Sequence, residues 1–175
     1  MATVLNGRFT AHTDEPFVVF LIGMRINQLL EFRKWMPTAR TMGPMIRELY
    51  QHPEKGFLGG QTFMYWRGVG LIQYWRSFAH LERFARNPSD PHLPAWQHFN
   101  KTVGTNGSVG IWHETFMVPA RQYEAIYNNM PVFDFAAATQ HMPIVGKRET
   151  ARGRLAEQND PAGTSPAQAV DASDG

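Results

Sequence analysis

The longest apolar run of the chain, Phe17–Met24, predicts a central strand that is covered on both faces. A helical stripe follows, in which Asn27 is placed to act as N-cap and the apolar positions are Leu29, Leu30, Trp35 and Met36. Pro37 disturbs this stripe, and Gly43-Pro44 marks a restart with Met45, Ile46 and Leu49 at helical spacing. The pattern therefore predicts two helical pieces after the first strand.

Two further apolar and aromatic runs, 57–66 and 69–76, are joined by Arg67-Gly68 and predict a β-hairpin. Ser77 then stands where an N-cap is needed, before Phe78, Leu81, Phe84 and Ala85 at helical spacing. Another helical stretch, 92–103, follows a Pro-rich interruption.

The last clear element is the run 109–118, bounded by a glycine-rich turn and by Pro119, which predicts a strand. Side chains alternate between faces, so His113 and Glu114 point to opposite sides among bulky apolar neighbours. We expect this ionisable pair to be desolvated and to form part of a pocket wall.

The order strand, helix, strand, strand, helix, strand predicts an α+β, ferredoxin-like βαββαβ fold in which a four-stranded antiparallel sheet carries both helices on one face. The other face is rich in aromatic residues, and a bare apolar face of that size favours association. We therefore expect a homodimer, with one domain at 1–146 and a disordered, Gly-, Ala- and Pro-rich tail at 147–175.

Composition narrows the possible partners. Hydrophobic residues make up 43% of 175 residues, enough for a large core and an apolar cavity. The net charge is only +2, and 17 basic residues are scattered among 15 acidic ones, so we expect no nucleic-acid partner. The chain has no cysteine, no secretory signal and no apolar run of bilayer length, which predicts a cytoplasmic protein without a membrane partner.

Several residues are candidates for chemistry. His113 is the main candidate base, while His92 and His98 flank Trp96 at a spacing that gives no shared metal site. Arg25 and Arg76, at strand ends, are suited to binding a carboxylate or enolate, although ion pairing on the surface explains them as well. Tyr74 and Trp75 are suited to stacking on a flat substrate or to core packing. Phosphate-loop, metal-ligand and nucleophile-elbow motifs are absent from the sequence.

Three segments carry a resemblance to a known family: Tyr74-Trp75-Arg76-Ser77, His92-Leu93-Pro94-Ala95-Trp96 and Gly110-Ile111-Trp112-His113-Glu114-Thr115. Over about residues 8–140 the chain resembles the dimeric α/β-barrel superfamily. Within it, the chain is most similar to the monooxygenase-like family named after an enzyme of a fungal fumagillin-type pathway, akin to the antibiotic-biosynthesis monooxygenases of secondary metabolism. Because several barrels of this superfamily bind haem, the resemblance implies His113 or His98 as the ligand if haem is present.

The leading hypothesis is a monooxygenase that oxidises a small hydrophobic aromatic or polyene compound, without a cofactor. His113 would act as base, and Glu114 and Arg76 are the other candidate catalytic residues; Trp112, Tyr74 and Trp75 would hold the ring, and Arg76 or Gln73 would stabilise an oxyanion. Trp96, His98 and His92 would complete the cavity rim. Two alternatives stay open: a haem-dependent oxygenase or dehydratase on the same fold, and a non-catalytic dimeric protein of ligand binding or stress response.

Overall fold

The computed structural model describes residues 2–90, 93, 97, 99–101 and 107–159. In this part of the chain, the strands are β1 (Leu5–His12), β2 (Phe17–Ile26), β3 (Phe57–Tyr65), β4 (Gly68–Trp75), β5 (Val109–Val118), β6 (Tyr127–Met130) and β7 (Gln140–Pro143). The helices are α1 (Phe32–Gln51), α2 (Phe78–Arg86), α3 (Phe135–Ala138) and α4 (Ala151–Asn159). Short 3-10 turns lie at Pro53–Lys55 and Gly146–Glu149.

The main sheet has the order β3-β4-β2-β5, and each neighbouring pair is antiparallel. This confirms the predicted α+β, ferredoxin-like fold, with the apolar run of β2 at its centre and the predicted hairpin as β3 and β4. Ser77 is the N-cap of α2, because its side chain accepts a hydrogen bond from the backbone N–H of His80. Most of the helical stretch predicted at 92–103 lies outside the described residues.

The prediction of two helical pieces after β2 is wrong, because α1 is a single helix with Pro37 and Pro44 inside it. Each proline removes one backbone donor, but tertiary packing of the apolar face compensates. Leu49 is fully buried, and Trp35 packs against the cluster around Met24.

The predicted N-cap is also wrong. α1 begins at Phe32 after Glu31, which makes no side-chain cap. Asn27 instead ties the loop before α1 to the start of β5, since its side-chain amide donates to the carbonyl of Gly107.

A small sheet of order β6-β1-β7, which the sequence did not predict, covers half of the second face of the main sheet. Ala11 of β1 is fully buried there and belongs to the same cluster as Phe17, Tyr74 and Phe135. The expectation that this whole face is bare is therefore wrong, because the chain itself covers the part near the start of β2. The strands concerned are short, and β6 and β7 have only four residues each, so period-two patterning is weak.

The other half of this face carries no such layer from the described chain, and we refer to it as the open face; its apolar side chains are Leu21, Phe63, Tyr65, Trp112 and Phe116, and Gln61 and Glu114 lie among them. Alternation along the strands and the strand register place them together. All of them are half-buried or exposed, and 49% of Phe116 is accessible. This half retains the apolar character that favours association.

The predicted disordered tail starts too early. Residues 147–149 belong to a 3-10 turn, and residues 151–159 form α4. Arg154 anchors this helix: it is buried, its Nε donates to a carboxylate oxygen of Glu124 at 2.6 Å, and an Nη donates to the carbonyl of Arg148 at 2.8 Å. These tertiary contacts are not visible in the polar composition of the segment. Residues 160–175 lie outside the described part.

Candidate active site

A cavity of about 430 Å³ lies between the main sheet and the helices α1 and α2. Its volume falls in the range typical of small-molecule sites. The sheet side is formed by Phe20, Ile22 and Met24 of β2, and α1 contributes Met42, Met45 and Ile46. Most of the wall is apolar, which favours a hydrophobic ligand.

Three methionine side chains line this wall. Met24 lies on the sheet, while Met42 and Met45 face it from α1. Unbranched methionine side chains adapt their shape and make favourable contacts with aromatic rings. The wall is therefore suited to a flat aromatic or conjugated ligand.

Gln73 places a buried amide in this apolar surface. The residue is only 7% exposed and lines the cavity from β4. Its Oε1 accepts a hydrogen bond from Nε1 of Trp75 at 3.0 Å, which fixes the orientation of the amide. Within the described residues, its Nε2 has no hydrogen-bond partner. The cavity thus contains a positioned donor for a ligand oxygen.

His113 is the second polar group of interest. It lies on β5, at the edge of the sheet, and lines the cavity with its ring centroid 5.7 Å from that of Phe20. The side chain is exposed, so the expectation that it is desolvated is wrong. An edge strand receives cover from one neighbour only, which explains the exposure and places His113 where the cavity meets solvent.

The strand register sets the spacing between these two groups. Phe20 of β2 pairs with Gln73 on one side and with Thr115 on the other. His113 pairs with Ile22, two residues further along β2. Two strand spacings and a shift of two residues separate the backbones of Gln73 and His113 by roughly 12 Å. Their side chains can therefore contact opposite ends of one ligand of about three fused rings.

The rim on the helix side is polar. Glu82 and Arg86 of α2 line the cavity and form an ion pair at 3.0 Å, one helical turn apart. Both are largely exposed, so this pair contributes little to stability. It marks the entrance from solvent.

The structure places five other predicted residues outside the cavity. Glu114 and Trp112 lie on the opposite face of the sheet from His113, so Glu114 cannot act as its partner. Trp75 is fully buried in the core next to Phe84, and Arg76 is exposed at the end of β4.

Tyr74, the fifth, lies under the small sheet. Its hydroxyl donates to Oδ2 of Asp134 at 3.0 Å. Burial, followed by the negative charge of Asp134, raises the pKa of Tyr74 well above its usual range. Its position is that of a core residue with a satisfied hydroxyl.

His92, Trp96 and His98 lie outside the described residues. Sequence reasoning also missed the cavity-facing methionines, since Met45 was assigned only to a helical stripe and Met42 was given no role. The signal was present as the high number of methionines, nine in the chain. Among the described residues, no group of three or more histidine or acidic side chains could hold a metal ion, and no helix is long and apolar enough to cross a membrane.

Comparisons with known proteins agree with this architecture. A family model described as "Monooxygenase af470-like" matches residues 17–143. Monooxygenase af470 of Aspergillus fumigatus is 30% identical over 151 residues, which cover 74% of this chain and 53% of that protein. The chain therefore spans about half the length of this curated relative.

Two solved structures are also similar. An aldoxime dehydratase aligns with a TM-score of 0.57 at 18% identity, over 75% of this chain and 41% of that chain. This similarity concerns the fold alone. SnoaB, a cofactor-independent oxygenase from Streptomyces nogalater, aligns with a TM-score of 0.42 at 12% identity, over 58% of this chain and 91% of that chain.

Proposed function

We propose that this chain, which belongs to the Monooxygenase af470-like family, oxidises a small hydrophobic, conjugated compound with O2 inside the cavity between the main sheet and the helices. The observation that carries the proposal is the pairing of an imidazole and an oriented amide across an apolar wall. His113 supplies a base next to solvent, and Gln73 supplies a free donor in the interior. The name of the family adds the reaction class.

The reaction begins with a proton transfer. In its neutral form, His113 accepts a proton from an acidic CH2 group at one end of the ligand. The negative charge delocalises through the conjugated system to an oxygen at the other end. There the Nε2 of Gln73 donates a hydrogen bond to this oxygen, which stabilises the anion where charge develops.

The anion then passes an electron to O2, and the resulting pair combines at the carbon that lost the proton. The resulting peroxide takes up the proton held by His113. His113 then removes the second proton of the CH2 group and the O–O bond breaks, so that one oxygen atom stays on the carbon as a carbonyl group and the other leaves as hydroxide, which this proton converts to water. Converting a CH2 group to a carbonyl group removes four electrons, and this is the number that O2 accepts. The substrate itself is therefore the reductant.

A haem-dependent oxygenase or dehydratase is the second candidate, and one observation favours it: His113 presents an imidazole on a wall that is mostly apolar. An imidazole nitrogen is a donor that haem iron accepts. His113 would hold the iron, Met24 and Met42 would contact the porphyrin, and Gln73 would donate a hydrogen bond to the substrate. Bound haem would supply activation of O2 or of a substrate nitrogen.

We further propose that two protomers associate through the open face. Trp112 and Phe63 lie flat on glycines there: a Cβ at Gly23 would be 2.8 Å from the indole of Trp112, and one at Gly70 would be 2.5 Å from the ring of Phe63. These two rings therefore lie close to the sheet and leave a low, largely apolar surface that a second sheet can approach.

The experiment that tests the function is an absorbance spectrum of the purified protein with and without added hemin, followed by oxygen uptake with a panel of polycyclic phenols and anthrone-type ketones. A colourless protein that ignores hemin and consumes oxygen supports the proposal. A stoichiometric Soret band lost in His113→Ala supports haem chemistry instead. Ligand-dependent thermal stabilisation without any product would indicate a passive binding protein.

Two substitutions test the assigned roles. His113→Ala should lower kcat by about 100-fold or more, as loss of a general base does, without destabilising the fold, because the side chain is exposed. Gln73→Leu should lower kcat by a similar factor of roughly 100. Glu114→Gln, next to His113 but on the other face, should retain turnover. Equal losses in His113→Ala and Glu114→Gln would show that the reaction does not take place in this cavity.

A further inference from the structure

An apolar patch lies at the end of the main sheet where β2 leads into α1 and β3 turns into β4. It consists of Leu29 and Leu30 in the segment between β2 and α1, Phe32 at the start of α1, and Met64 and Trp66 at the tip of the β3-β4 hairpin. The exposed fractions are 57%, 92%, 54%, 88% and 82% in that order. Soluble proteins rarely expose several large apolar side chains side by side without a partner.

Hydrogen bonds hold the two segments together. The backbone N–H of Ile26 donates to the carbonyl of Arg67 at 2.7 Å, and the guanidinium of Arg67 donates to the carbonyl of Asn27. The indole of Trp35 donates to the carbonyl of Leu29 at 3.1 Å and so fixes the turn before α1. The patch is therefore a preformed surface at the end of the sheet.

Basic residues surround this patch. Over residues 25–36 and 61–70 there are four of them, Arg25, Arg33, Lys34 and Arg67, against one acidic residue, Glu31. Lys34 pairs with Glu31 at 3.1 Å, whereas Arg25 and Arg33 are exposed and, within the described residues, have no acidic partner. The surface thus combines exposed apolar side chains with a net positive charge.

We propose that this patch binds the surface of an anionic lipid bilayer, with Trp66 and Leu30 inserted at the headgroup boundary and Arg25 and Arg33 against the headgroups. Tryptophan and leucine are favoured at this depth, and basic side chains beside them gain from the negative surface potential. The inference does not depend on the oxygenase proposal, since binding requires no turnover. It departs from the expectation that the chain has no membrane partner, because the two segments lie some 30 residues apart and are joined only by folding.

The same charges disfavour a second copy of this chain as the occupant. In a two-fold symmetric contact, each patch would face itself. Arg25 and Arg33 would then lie near their own symmetry mates, and like charges across an interface oppose association. An anionic bilayer supplies the complementary charge over the whole patch.

The test is cosedimentation of the full chain with vesicles of phosphatidylcholine containing about 30% phosphatidylserine, and with vesicles of phosphatidylcholine alone. We expect binding to the anionic vesicles and much weaker binding to the neutral ones. The double variant Leu30→Ser/Trp66→Ser should bind at least about tenfold more weakly, because affinity scales with inserted apolar area. Arg33→Gln should bind about fivefold more weakly, as expected for one basic charge.

Matched controls come from exposed residues elsewhere. Val4→Ser/Val145→Ser removes two apolar side chains that are 56% and 62% exposed, and Arg152→Gln removes an exposed charge on α4. Both should bind as the unchanged protein does. No binding to anionic vesicles, or equal losses in patch and control variants, would overturn the proposal. A dimer in solution that Leu30→Ser/Trp66→Ser dissociates would assign the patch to self-association instead.

Discussion

At the scale of single residues, Asp134 is the most unusual position of the fold. Its backbone has a φ of +52°, a conformation rare for residues other than glycine. Its Oδ2 accepts a hydrogen bond from Tyr74, but its Oδ1 is buried and has no partner among the described residues. Burial raises the pKa of Asp134, and the hydrogen bond from Tyr74 opposes this only in part.

This predicts a specific dependence of stability on pH. Because the pKa is raised above its ordinary value of 3.8, the contribution of Asp134 to stability is fully present below that pH and is lost as the pH rises through the folded-state pKa. Asp134→Asn keeps an acceptor for Tyr74 and tolerates a positive φ, so the stability of this variant should not fall as the pH rises. Urea unfolding midpoints of both proteins at a series of pH values above 3.8 measure the difference.

Asp14 provides a control of opposite sign. It is exposed, and its pKa is lowered, chiefly by the hydrogen bond from Arg121. Its contribution is therefore present above the ordinary pKa of 3.8 and lost as the pH falls. The unchanged protein should therefore lose a small part of its free energy of unfolding at acid pH, and Asp14→Asn should not show this loss. Parallel pH profiles for the unchanged protein and Asp134→Asn would contradict the role of Asp134.

At the scale of elements, hydrogen-bonded aromatic side chains connect the strands of the main sheet on its open face. The indole of Trp112 on β5 donates to the hydroxyl of Tyr65 on β3 at 2.7 Å, and this hydroxyl donates to the carbonyl of Met24 on β2 at 2.7 Å. Gly23 makes the contact possible, since any Cβ at this position would overlap the indole. The glycine is thus required by packing, although it interrupts an apolar strand.

We predict that Gly23→Ala destabilises the protein by about 1–3 kcal/mol, because the added methyl group displaces Trp112 from Tyr65. Gly43→Ala is the matched control: in α1, a Cβ at this position has no neighbour within 4 Å. It should change the free energy of unfolding by less than about 1 kcal/mol. Chemical denaturation measures both values, and a Gly23→Ala protein as stable as Gly43→Ala would show that the indole moves at no cost.

At the scale of the whole molecule, the two faces of the main sheet have different surroundings. The face under α1 and α2 carries the cavity, and the face opposite is covered partly by the small sheet. Neighbouring residues on β5 consequently have unrelated surroundings. Phe116 lies on the open face, and Met117 lies on the cavity side at the sheet edge.

This difference gives a test of the proposed dimer. Phe116→Glu should dissociate it, because it replaces an apolar contact of the open face by a second negative charge beside Glu114, whereas Met117→Glu, on the other face, should not. Both side chains are exposed, at 49% and 75%, so neither substitution should unfold the protein. Sedimentation should give twice 19.9 kDa for the unchanged protein and 19.9 kDa for Phe116→Glu. A monomeric unchanged protein, or a dimer that tolerates Phe116→Glu, would refute association through this face.

Strong local periodicity made the main sheet predictable. The apolar run of β2, the alternation of β5, the hairpin and the Ser77 cap each depend on residues close together in the chain, where side-chain pattern and backbone preference act directly. Short elements were not predictable in this way. β1 reads as polar, and α1 continues through Pro37 and Pro44 because contacts with distant residues outweigh the local cost.

The candidate site was also predictable only in part. Strand alternation alone predicts that His113 and Glu114 point to opposite faces of one strand, and residue chemistry identifies His113 as a group able to move a proton and Gln73 as one able to bind an oxyanion. The folded chain is needed to show that these two share a cavity with the methionines of α1, while Tyr74, Trp75 and Trp112 do not. The reason is that alternation assigns a residue to a face, but the element that covers this face is brought there by folding.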